Sequence, residues 1–198
     1  MKAHYFALLV VLCFGCQSVV KTAYGVKKPK LETENSIKRY LVKHKVDTTN
    51  VYVFKDFQSF AKASEKNILS FPEAFFFNGK GNLVRYKKET ESCNAKVFDF
   101  LSDLKDFSKM EEDPSFTMDD YFELLNSKPT DAKADVNVII TWATYAGRIN
   151  KTKAFEWINL IEKARANGIK ANWYLLNCDY QKSWNLPKIA LDKLGIKD

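Results

Sequence analysis

The run VNVIITW (136–142) most constrains what this chain can become. It is long enough for a strand, rich in β-branched residues and free of charge, as expected of a central strand buried on both faces. ANWYLLNCD (171–179) reads as a second buried strand. Between them lies NKTKAFEWINLIEKARAN, whose Phe155, Ile158, Leu160, Ile161 and Ala164 give one apolar helical face, stopped by Gly168.

The segments before this unit alternate in the same way. SIKRYLVKH (36–44) reads as a short amphipathic helix capped by Ser36, and VYVFK (51–55) as a strand. Asp56 caps a predicted helix carrying Phe57, Phe60 and Ala61 on one face. AFFFN and LVRYK flank Gly79-Lys80-Gly81, the pattern of a hairpin. AKVFDFLSDLKDF (95–107) follows as an amphipathic helix. The stretch 108–134, acidic and interrupted by Pro114 and Pro129, carries only one short helical piece, MDDYFELL, and PKIALDKLG closes the chain as a helix. Five strands alternating with helices predict an α/β fold on a mixed sheet.

The N-terminus reads as an export signal. Lys2 is followed by an apolar run over 5–14, too short for a bilayer core of roughly 30 Å, then by Gly15 and Cys16. Gly15-Cys16 resembles the lipobox of bacterial lipoproteins, although Cys13 stands at the usual Leu position and Leu12 one residue earlier. The resemblance implies a signal peptide over 1–15, lipid on Cys16, a tether to residue 35 and a single domain over 36–198. The expected location is the bacterial envelope, anchored and facing the periplasm. The alternative is a soluble secreted protein cut nearby, for example after Ala23. The net charge of +7 reads first as a solvated surface rich in lysine; Lys27, Lys28 and Lys30, clustered in the tether, also suit an anionic lipid surface. Export argues against nucleic acid as partner.

Of four cysteines, Cys13 leaves with the signal and Cys16 takes the lipid. Cys93 and Cys178 remain, as a disulfide or as two thiols, in a compartment that permits either. His44, the one histidine after the signal, lies among lysines and reads as a surface residue. No His/Cys metal cluster, Ser-His-Asp arrangement or cofactor motif is legible. Three of the four tryptophans fall in core elements, and Trp184, in a loop, is the candidate for a contact surface.

Two segments resemble the thioredoxin-like superfamily. VNVIITWATYAGRINK (136–151) is similar to the strand, Trp-Ala-Thr-aromatic turn and helix start that carry the CxxC of periplasmic thioredoxins. SFPEAFFFNGKGNLV (70–84) is similar to that family's cis-proline, strand, turn and strand. Here the proline hairpin precedes the Trp-Ala-Thr unit. The order implies a circularly permuted thioredoxin-like sheet of five strands, or, as the rival, two degenerate halves in tandem.

Aligning Tyr145 with the family's aromatic residue puts Ala146 and Ile149 at the two cysteine positions. Thiol-disulfide exchange needs a nucleophilic thiolate and a resolving thiol, so the resemblance implies a scaffold without catalytic residues at this turn. The expected function is a binding module that meets an envelope protein through Tyr145, Ala146, Gly147, Arg148, Phe71 and Pro72. The alternatives are a redox protein using Cys93 or Cys178, and an immunity-type lipoprotein.

Overall fold

The computed structural model of the chain describes residues 24–66, 68–86, 96–102, 104–129 and 134–196. Residues 1–15, expected to be a signal peptide, lie outside the described residues, as do Cys16 and Cys93. Helix α1 spans Glu34–Lys43, followed by β1 (Val51–Val53), α2 (Phe57–Glu65), β2 (Glu73–Asn78), β3 (Asn82–Val84) and α3 (Lys96–Ser102). Then come β4 (Glu112–Thr117), α4 (Met118–Phe122), β5 (Val136–Trp142), α5 (Arg148–Thr152), α6 (Ala154–Ala166), β6 (Ala171–Asn177) and α7 (Lys188–Leu194).

The architecture is α/β: a six-stranded mixed sheet in the order β1-β6-β5-β2-β3-β4, with helices packed against it. β1, β6 and β5 are parallel, whereas β2, β3 and β4 continue antiparallel. The apolar run behaves as its composition demands. Every residue of β5 is buried, and the strand sits between β6 and β2. Its side chains alternate between two cores. Val136, Val138, Ile140 and Trp142 join Ile37, Leu41, Phe76, Trp157 and Ile161, while Ile139 joins Phe54, Phe77, Tyr121 and Leu176 on the other face.

The sixth strand corrects the expected five. β4 is the acidic EDPSFT, read from sequence as loop because charge and proline are poor strand signals. At the outer edge of a sheet both are tolerated, because one side needs no ladder partner and the charges meet water. Arg85 donates to Asp113 across this pair, and Asn82 donates to Glu112 at 2.9 Å.

Three local expectations also shift. Thr33, not Ser36, caps α1; Ser36 is the reciprocal residue of a capping box. The helix expected as one piece over 150–167 is α5 and α6, broken at Lys153 (φ −130°, ψ −87°). The strand expected over 171–179 ends at Asn177, leaving Cys178 and Asp179 in the following loop. The hairpin is as expected, with Gly81 at φ +84° and the Asn78 side chain accepting from the Lys80 and Asn82 amides.

Residues 24–33 are not a free tether. Lys27 N–H donates to the Tyr145 carbonyl at 2.8 Å, and Glu32 forms a parallel bridge with Gln181. This strap crosses the C-terminal end of the two central strands. Among the described residues, no helix is long and apolar enough to cross a membrane.

Candidate functional site

β5 and β6 run parallel, so their C-terminal ends open at one edge of the sheet, where an α/β sheet ordinarily presents its binding crevice. The chain leaves β5 through Ala143 into a single 3-10 turn, Thr144–Ala146, then Gly147 and α5. Asn150 fixes this bend from below, its Nδ2 donating to the Ala143 carbonyl at 2.7 Å and to the Tyr40 hydroxyl at 3.0 Å. Thr141, inside β5, holds the neighbouring loop: its hydroxyl donates to the Ser70 carbonyl at 2.6 Å and accepts from the Glu73 amide at 3.0 Å. That anchorage brings Phe71–Pro72, a cis peptide, beside the turn. The Phe71 ring meets Tyr145 edge-on with centroids 5.6 Å apart.

Of the six residues expected to form a binding face, the structure therefore brings Phe71, Pro72 and Tyr145 together, each half-buried, with Arg148 exposed beside them. Ala146 is a correction. It is buried at 4% exposure, because the turn closes inward on the Ala143 carbonyl, and it presents no contact surface. Gly147 is covered as well. It adopts φ +63° and ψ −130°, a region open to glycine, and the Tyr24 and Gly25 carbonyls of the strap lie against it. A β-carbon there would collide with both.

Sequence reasoning missed the polar centre beneath this face. Asp179 is fully buried; its Oδ2 accepts from the Thr144 amide at 2.7 Å and from Asn177 Nδ2 at 2.6 Å. Glu32 of the strap is also buried, accepting from the Ser36 hydroxyl at 2.5 Å and facing Lys30 Nζ at 3.3 Å. The Thr144 hydroxyl lies 2.9 Å from Glu32 Oε1 and 2.9 Å from Asp179 Oδ1.

One hydroxyl has one proton, so it serves both carboxyls only if one of them carries a proton of its own. Burial, reinforced by the Glu32 charge and opposed by the donors from Thr144 and Asn177, pushes Asp179 up to about 6. Asp179 holds such a proton only below about 6; above it the one proton on Thr144 Oγ1 is left to serve two carboxylates. An acid placed directly after the buried LLNC run was the available sequence signal. Glu32, far away in sequence, gave none.

The chemistry open to the site is limited by access. Both carboxyls are buried, which suits them to hold chain segments together. Cys178 lies under the turn, its N–H donating to the Trp142 carbonyl at 2.7 Å. Its thiol is free and fully buried, and burial followed by the nearby Asp179 charge pushes its ionisation far above the ordinary range. The native protein is therefore expected to leave Cys178 unlabelled by maleimide at pH 7.5 and to label it on unfolding. Rapid native labelling at that residue would overturn this assignment.

His44, read as a surface residue, is half-buried at the end of α1 against Tyr40; burial, then Lys43 and Lys151, lower its pKa. Trp184 donates its indole N–H to the Phe54 carbonyl at 3.1 Å and packs with Phe57, Phe60 and Tyr180. Comparisons with protein-family models, curated proteins and solved structures gave no significant match.

Proposed function

We propose that this chain is an exported, lipid-anchored, thioredoxin-like protein of the bacterial envelope that has no redox cysteines and acts as a binding module. The observation that carries this reading is the meeting of the cis Phe71–Pro72 loop with the Tyr145 turn, at a place where Ala146 and Ile149 supply no thiol. Circular permutation is supported by the strand neighbours. The proline hairpin β2–β3 lies directly beside β5, the strand carrying Trp142, although it precedes β5 in the chain. On this reading β4 is an addition at the hairpin's outer edge.

The face available to a partner comprises Arg148, Tyr145, Phe71 and Pro72, with Tyr24 of the strap, 42% exposed, beside them. If Cys16 carries lipid, the eight residues to Tyr24 reach at most about 29 Å, so this face works close to the membrane.

The test is capture of envelope proteins by the full chain and by an Arg148→Glu/Tyr145→Ala double variant. The expected result is a partner retained by the first and lost by the second. Equal retention of every partner would remove this face from the function.

A further inference from the structure

The strap has the geometry of a bound peptide. Three main-chain hydrogen bonds attach it: Lys27 N–H to the Tyr145 carbonyl, Glu32 N–H to the Tyr180 carbonyl, and Lys182 N–H to the Glu32 carbonyl, each at 2.8 Å. One end meets a surface that accepts no side chain, with the Tyr24 and Gly25 carbonyls against Gly147. The other end inserts a carboxylate into a prepared polar pocket, where Glu32 is held by Thr144 and Ser36 and retains 3% exposure. Between these ends, Lys27, Lys28 and Lys30 are exposed, with Lys30 Nζ also 3.3 Å from Glu32 Oε1. Main-chain pairing with pockets for selected side chains is how extended peptides are recognised.

We propose that Gly147, the Tyr145 carbonyl, the Tyr180 carbonyl and the Thr144 hydroxyl form a peptide-binding site that residues 24–33 occupy in cis, and that a partner enters by displacing them. This rests on the binding-module reading and names the partner's chemistry. The partner is an extended segment with a glycine over Gly147, a free backbone N–H two residues later, and a carboxylate five residues beyond that. A linked occupant competes at a local concentration in the millimolar range for a short connection, so the site is closed to weak ligands until the strap is loosened.

Glu32→Ala removes the carboxylate from the pocket and leaves the strand ends intact. On the purified full chain, the amides of Lys27 and Lys182 are expected to exchange hydrogen at least about tenfold faster in this variant, while Val138 and Ile140 exchange unchanged. A fluorescent peptide YGVKKPKLET, residues 24–33, is expected to bind the variant at least about tenfold more tightly than it binds the unaltered chain. The same peptide with alanine in place of its glutamate, or valine in place of its glycine, is expected to lose that binding. These peptide controls stand in for substitutions at Gly147 that threaten folding.

Unchanged exchange at Lys27 and Lys182 would show that Glu32 does not hold the strap and would overturn the proposal. So would equal or absent binding of the peptide to the two chains, or binding indifferent to its glycine and glutamate. None of these measurements contains an envelope partner. Peptide binding without a captured partner leaves this inference standing and removes the function above; the reverse result does the opposite.

Discussion

Replacing Trp142 by alanine is expected to destabilise the fold by about 3–5 kcal/mol, read as a fall in the denaturation midpoint without a change in slope. Trp142 is the last residue of β5 and fully buried. Its ring stacks on Tyr40 of α1 at 5.5 Å and meets Phe155 of α6 at 5.7 Å, so one side chain ties the sheet to two helices. Truncation leaves a void that rigid neighbours fill poorly, which adds to the lost transfer energy. The indole N–H has no hydrogen-bond partner among the described residues. Phenylalanine, which keeps ring contacts and gives up that unmatched donor, is expected to recover most of the loss. Equal losses in the alanine and phenylalanine variants would mean that packing at this position is not the source.

The second large effect is on pH. Asp179 lies at about 6 in the folded chain against an ordinary 3.8, so the folded chain holds its proton more tightly than the unfolded chain. The stability this contributes is fully present below 3.8 and is lost as pH rises through about 6. A shift of about two units corresponds to about 3 kcal/mol.

Ionisation leaves the Thr144 hydroxyl with two carboxylates and one proton. Glu32 and Lys30 of the strap, Thr144 and Tyr145 of the turn, Tyr40 of α1, and Asn177 and Cys178 beside it are the groups that feel this charge. Asp179→Asn preserves the protonated pattern. Its oxygen accepts from the Thr144 amide and from Asn177, and its nitrogen donates to the Thr144 hydroxyl. The variant is expected to match the unaltered chain near pH 4 and to exceed its stability by up to about 3 kcal/mol at pH 8. A stability difference that stays constant from pH 4 to 8 would show that Asp179 does not titrate in this range.

Much of the site is visible in the chain itself. Phe71-Pro72 and Tyr145 are stated by short motifs, because a turn's shape depends on residues next to one another. The burial of Ala146 is not legible there, because it depends on which way the turn closes, and Asn150 beneath it holds the Ala143 carbonyl. The strap's attachment is hidden in the sequence for a related reason. Its lysines, glycine and proline carry no periodicity, and its attachment is made by main-chain groups and one carboxylate.

The sequence alone determined the central strands and the hairpin. Each follows from local composition: continuous apolar runs must be buried on both faces, and Asn78-Gly79-Lys80-Gly81 turns wherever it occurs. Only the tertiary structure decided that an acidic, proline-bearing segment pairs as the sixth strand, since edge position, not propensity, makes Pro114 acceptable there. It alone brought Glu32, Thr144 and Asp179 to one shared proton. Residues so distant in the chain leave no pattern in it; their coupling exists only where folding removes water and sets them 2.9 Å apart.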